Sequence, residues 1–199
     1  MDLTQGTPEE KRGRAKKMML WFGIGSLIMS FSALISAFIV SAKQREGKDW
    51  LSNYELPEAF LISVGIILLS SLTFILAKRA LKINDRKMTT IWLLSTLILG
   101  VVFVLSQFIG FKQIIEAGYN FTGPTSNITM SYIYLIAVLH IGHVVAGLIC
   151  IIVVIYNHFK QKYNANDLLG FELAANFWHF VDLLWLVLFL FLYFFRDRI

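Results

Sequence analysis

Apolar residues fall into five long runs along the chain, and charged residues are collected almost entirely in the gaps between them. A helix needs about 20 residues to cross roughly 30 Å of hydrocarbon. Each run is long enough, so the pattern predicts transmembrane helices near 18–42, 57–81, 88–111, 129–157 and 171–195. A basic segment, Lys11 to Lys17, precedes the first run in the manner of a secretory signal. That run, however, is about 25 residues long, against the roughly 7 to 15 of a signal core, and no small-x-small cleavage site ends it. It is therefore read as a helix. No internal repeat and no long linker divides the chain. The expectation is an all-α integral membrane protein, with residues 1–17 a basic tail and 18–199 a single five-transmembrane-helix bundle.

Composition agrees: 57% of the 199 residues are hydrophobic, 15% are aromatic and only three are proline, which excludes a disordered or ordinary soluble chain. The net charge of +5 would suggest nucleic acid in a soluble protein. Here the basic residues occupy the gaps, where they act as topology signals. Twelve of the 18 Lys and Arg lie in the tail, in the loop with Lys78, Arg79, Lys82, Arg86 and Lys87, and in the loop with Lys160 and Lys162. The excess predicts a cytoplasmic N-terminus and a periplasmic C-terminus. The lone Cys150 excludes an intrachain disulfide and reads as a small packing residue. Asn120-Phe-Thr and Asn127-Ile-Thr match a glycosylation pattern too short to carry weight. There is no phosphate-binding glycine loop, no HExxH and no soluble domain for nucleotide or DNA, which points to another membrane subunit as partner.

The polar residues inside the runs need explanation, because an Asp at the centre of a membrane helix costs about 2.5 to 3.5 kcal/mol even on lenient scales. On the fifth helix Glu172, Asn176, His179 and Asp182 share an arc of about 120°, with Trp178 and Trp185 beside it. On the fourth, His140, His143, Gly147 and Cys150 share about 80°. The two stripes are expected to face one another or a neighbouring subunit. Three readings fit. His140-x-x-His143 and His179-x-x-Asp182 have the spacing to supply four ligands to a metal. The same groups suit a proton relay. They also suit structural hydrogen bonding that fixes helix packing, with His179 and Asp182 bonded within the bundle. Spacing does not choose among these. On the second helix Pro57 and Glu58, with Glu55, read as a helix start at the interface, unless Glu58 lies deeper and acts as a functional carboxylate. On the third, only Gln107 needs a partner, since the hydroxyls of Ser95, Thr96 and Ser106 can bond their own helix.

Gly170-Phe171-Glu172, then Trp178-His179-Phe180-Val181-Asp182 and Trp185, resembles the final-helix signature of subunit III of the haem-copper terminal oxidases. His140, His143, Val144 and Gly147, then Thr96, Gly100, Phe103 and Gln107, and finally Ser70-Ser71 with Thr73, are similar to further motifs of that family. Glu58, with Glu55 close by, stands about where many members carry a helix-embedded glutamate. The resemblance covers residues 55–195 and fits the short, five-helix bacterial form. It implies a non-catalytic core subunit of a proton-pumping oxidase in the bacterial inner membrane. The chain itself would hold no cofactor, haem and copper residing in partner subunits. It would pack on subunit I, alongside subunit II, near the mouth of a proton-uptake path, and hold phospholipids in a cleft. Cytochrome c or quinol would reach it only through other subunits. His179, Asp182 and Trp185 would tie the last helix to its neighbours or to lipid headgroups, Glu58 and Glu172 would be buried carboxylates, and Trp178, His140, His143 and Gln107 would be contact residues. The alternatives are a quinol oxidase subunit III, a small subunit associated with nitric oxide reductase, and an independent intramembrane metalloenzyme built on the two histidine-bearing helices. A transporter lacks the expected paired broken helices.

Overall fold

Hydrocarbon offers no partner for backbone N–H and C=O groups, so an apolar run of this length satisfies them internally as a helix. The computed structural model describes residues 7–45, 56–119, 127–163 and 168–196, and all five runs are helical. They form α1 (Pro8–Arg45), α2 (Glu58–Lys82), α3 (Arg86–Glu116), α4 (Ile128–Phe159) and α5 (Leu169–Arg196). Glu55 and Asn120 fall outside the described residues.

Two helices outrun their apolar stretches. α1 begins at Pro8, so the basic segment expected as a separate tail is continuous with the first membrane helix. Its start is set by a reciprocal cap: the Glu10 N–H donates to Thr7 Oγ1 (3.3 Å) and the Thr7 N–H to Glu10 Oε2 (3.0 Å), with Pro8 in the first turn where its missing N–H is no loss. α3 continues past 111 to Glu116, carrying the i,i+4 pair Lys112–Glu116 (3.6 Å) on its exposed end. Hydropathy marks what lies in hydrocarbon, whereas the backbone ladder stops only where a cap or turn stops it. Between α2 and α3 the turn is tight: Asn84 takes a left-handed conformation (φ 59°), and Asp85 caps α3 by accepting from the Met88 N–H at 3.1 Å. Asn127, one of the two glycosylation matches, caps α4 by accepting from the Thr129 N–H at 2.8 Å.

Helices α2, α3, α4 and α5 form a closed ring in which α2 meets α5, and α1 lies outside it against α4 and α5. Neighbours in the ring run antiparallel. The first turn of α1, the last two turns of α2 with Lys78 and Lys82, the start of α3, the end of α4 with Lys160 and the start of α5 therefore share one end of the bundle, here called the basic end. The ring interior is aromatic: Phe60, Phe74, Phe103, Phe171, Trp178 and Trp185 are all fully buried. α1 is anchored by Phe31 against the His143 ring (5.7 Å between centroids), by Phe38 against Phe191 and Phe195, and by a Ser41–Tyr132 hydroxyl pair at 2.9 Å.

Candidate functional site

The most specific stretch of sequence, Trp178 to Trp185, is brought against one face of α2. The Trp178 indole N–H donates to Ser70 Oγ at 3.1 Å, His179 Nδ1 is hydrogen-bonded to the adjacent Ser71 hydroxyl, and the Trp185 N–H donates to Ser63 Oγ at 3.0 Å. The pairing is a register. Ser63 and Ser70 are seven residues apart on α2, Trp178 and Trp185 seven apart on the antiparallel α5, so each indole meets a small hydroxyl two helical turns from the next. Small residues leave room for the rings. A Cβ on Gly147 of α4 would stand 2.8 Å from Trp178 Cε3, and one on Gly100 of α3 would stand 2.8 Å from Trp178 Cη2. Hydroxyls carry the seam on into α3, where Thr73 and Thr96 share a hydrogen bond of 2.8 Å. At the basic end the seam closes with an ion pair between Lys78 Nζ and Glu172 Oε1 at 3.0 Å, both about a third exposed.

Asp182 breaks the register. Interpolating between the serine pairs sets it opposite Ile66, a part-buried apolar residue. The carboxyl is 1% exposed and neither oxygen has a hydrogen-bond partner, although the Ser71 hydroxyl, engaged with His179, faces it. The expected bonding within the bundle therefore holds for His179 and not for Asp182.

The other candidates separate. Glu172 and His179 of the α5 stripe face α2, not the histidine stripe of α4 as expected, because Trp178 and Trp185 occupy the α4–α5 contact, and Asn176 of the same stripe is exposed. His140 is fully buried, stacked on Trp185 (4.9 Å between centroids, 25° between planes) with Phe103 against its edge at 5.9 Å, and neither ring nitrogen has a partner. His143, one turn on, uses Nδ1 on the Leu139 carbonyl of its own helix at 2.7 Å. His140, His143, His179 and Asp182 do not converge, and among the described residues no three His, Cys, Asp or Glu side chains gather as metal ligands. Gln107 is buried with both amide atoms unpartnered, so the partner it needs does not come from a described residue.

Both carboxylates expected to be buried prove otherwise. Glu58 is the first residue of α2 with an exposed side chain, and the neighbouring Ala59 N–H donates to Gln113 Oε1 of α3 at 3.4 Å. Glu58 is thus a first-turn acid of the kind the helix dipole favours. Glu172 sits half-exposed in its pair with Lys78. The buried carboxyl is Asp182. Sequence reasoning also overlooked Ser63 and Lys78 as partners. Its available signal was the matched seven-residue spacing of hydroxyls on α2 and tryptophans on α5.

A second feature lies on the other side of α5. A cleft of about 560 Å³ opens among α1, α4 and α5, with apolar walls that include Leu20, Cys150 and Phe177 and polar groups from Lys16, Asn157 and Tyr163.

Comparison with known proteins is consistent across nearly the whole chain. The family model described as Cytochrome c oxidase subunit III matches residues 11–197. Cytochrome c oxidase subunit 3 of Alkalihalophilus pseudofirmus is 28% identical over 97% of this chain and 95% of its own length. The same subunit of Bacillus sp. (strain PS3) is 26% identical over 91% and 86%. Cytochrome bo(3) ubiquinol oxidase subunit 3 of Buchnera aphidicola is 29% identical over 88% of this chain and 89% of that one.

Proposed function

Because the chain belongs to the cytochrome c oxidase subunit III family and is a multi-pass subunit III of a haem-copper oxidase, we propose that it serves that complex as a non-catalytic core subunit. In this reading it packs on subunit I, in a complex with subunit II. Haem and copper reside in those partners, which carry out oxygen reduction and proton pumping. The chain keeps proton uptake and turnover sustained. The supporting observation is the use made of the signature residues: Trp178, His179 and Trp185 each direct a polar atom onto a serine of α2, so the motif's chemistry goes into holding the ring closed.

The basic end faces the cytoplasm in this proposal, the C-terminus the periplasm, and the bilayer is the bacterial inner membrane. The cleft of α1, α4 and α5 suits a phospholipid, its apolar walls taking an acyl chain and Lys16, Asn157 and Tyr163 a headgroup at the basic end. A quinol-oxidising complex is the second reading, favoured by the 29% identity to the ubiquinol oxidase subunit of Buchnera aphidicola.

A mild-detergent pull-down of the tagged chain from native membranes, with a reduced-minus-oxidised visible spectrum, tests both. Recovery of a haem-bearing oxidase with a large catalytic subunit is expected, and oxidation of added cytochrome c or quinol then identifies the donor. A chain recovered without haem or a larger partner overturns the assignment of role.

A further inference from the structure

We propose that Asp182 is a proton-binding site, a carboxyl in the α2–α5 seam reached from the basic end through His179 and Ser71. The proposal concerns groups within this chain and stands whichever electron donor the complex uses.

Asp182 is the one carboxyl among the buried described residues, and its oxygens have no hydrogen-bond partner. An ionised carboxylate so placed needs a cation or several donors, whereas the neutral acid has far less to lose. No cation is near enough to serve. Lys78 on α2 is committed to Glu172 and lies two helical turns, roughly 10 Å of rise, from the level of Ser71. On α4, His140 is set behind the Trp185 ring, His143 turns to Phe31 of α1 and His158 to Thr90 of α3. α3 presents Thr96 and Gln107, neither charged. α1 packs on another face of α5, where Lys16 shares the cleft with Leu173 and Phe177. That leaves Ser71 and His179 as the polar groups beside the carboxyl.

The route also has a direction. Glu172 and Lys78 are part-exposed at the basic end, His179 is half-buried one step in, its Nδ1 bonded to Ser71 Oγ, and Ser71 faces Asp182. Beyond Asp182 the seam is shut by Trp185 with Phe60 (5.6 Å between centroids) and Phe103 (5.7 Å) packed on its ring. Access is therefore from one side only. A proton taken by His179 Nε2 lets the hydrogen on Nδ1 pass to the Ser71 oxygen, while Ser71, once its hydroxyl closes to hydrogen-bond distance of the carboxyl, gives its own hydrogen to an Asp182 oxygen. One proton enters and one is bound. The hydroxyl is regenerated, and His179 ends neutral with its hydrogen on the other nitrogen, ready for the reverse transfer. The result is a proton store opening on the basic end, not a path through the bundle.

Infrared spectroscopy of the purified complex, with aspartate labelled by carbon-13, reads protonated aspartic acids as an isotope-shifted carbonyl band. The expected result is a band at neutral pH that moves on transfer to D2O and disappears in Asp182→Asn. Asp182→Glu, which removes the position from the label but keeps a carboxyl in the seam, answers the same question if Asp182→Asn does not assemble. Ser71→Ala should keep the band and slow its deuterium shift by at least about tenfold, since a positioned proton-transfer group is worth that much or more. A spectrum in which neither Asp182 variant removes a band shows an ionised carboxylate and overturns the site. An exchange rate unchanged in both Ser71→Ala and His179→Phe overturns the route. Mass spectrometry of the co-purified chains reports on the oxidase role separately, so the two failures are distinguishable.

Discussion

Asp182 and its neighbours on α5 carry opposite energetic signs. Trp178 and Trp185 have their N–H groups satisfied in the seam, while the Asp182 carboxyl is buried with neither oxygen in a hydrogen bond. A buried polar group without partners costs about 1 to 3 kcal/mol, and its apolar replacement removes that cost. Asp182→Leu should therefore leave thermal stability in detergent unchanged or raise it by about 1 to 3 kcal/mol. A clear fall would mean that the carboxyl has a partner the fold needs. Gly147 lies on the other side of Trp178, where the indole has no room to yield because Gly100 of α3 holds its far edge. Overpacking of this kind costs about 1 to 3 kcal/mol, so Gly147→Val should lower the unfolding midpoint while Gly142→Val, with no atom within 4 Å of the added Cβ, should not.

Between elements, the α2–α5 seam consists of three side-chain bonds and one ion pair of unequal worth. Interhelical hydrogen bonds in membranes average about 0.6 kcal/mol and reach about 1.7. A double-mutant cycle of Ser63→Ala and Trp185→Phe should return a coupling in that range; zero coupling would mean the indole is held by packing alone. Lys78–Glu172 is part-exposed and screened, so Glu172→Gln should change stability by less than about 1 kcal/mol. The elements themselves were legible in the sequence, because five apolar runs can only be five helices in hydrocarbon. Their ends were less so: α1 and α3 continue into charged residues that hydropathy excludes, although the Thr7–Glu10 cap was there to be read. Helical periodicity correctly grouped Glu172, His179 and Asp182 on one face. It could not say which helix that face meets, since the stripe is equally polar whether it looks toward α2 or α4. Glu58 was ambiguous for a related reason, because its depth depends on where α2 begins relative to the interface and not on its neighbours in sequence.

At the scale of the whole molecule, the alternating helices collect Lys78, Lys82, Arg86 and Lys160 at one end. If that end is cytoplasmic, a membrane-impermeant thiol reagent added outside intact cells should spare Lys82→Cys and label Lys112→Cys at the opposite end of α3, both in a Cys150→Ser background. The reverse pattern would invert the topology. The outer faces of the bundle remain apolar, with Leu61, Leu72, Ile98 and Leu183 among many exposed side chains, as befits a chain surrounded by lipid and partner subunits.

The ring has a further consequence, in the order of events during synthesis. Ser63, Ser70 and Ser71 leave the ribosome more than a hundred residues before the tryptophans and histidine that engage them. The α2–α3 hairpin can settle early through its short turn, with Ser70 Oγ donating to the Thr96 carbonyl of α3 at 3.4 Å, but until α5 arrives Ser63 and Ser71 have only their own helix or a chaperone to bond. A nascent chain stalled or cut before its last 28-residue helix thus presents an unmated polar face inside the bilayer. Such a face offers the cell's quality-control proteases a chemical mark that the finished chain has erased.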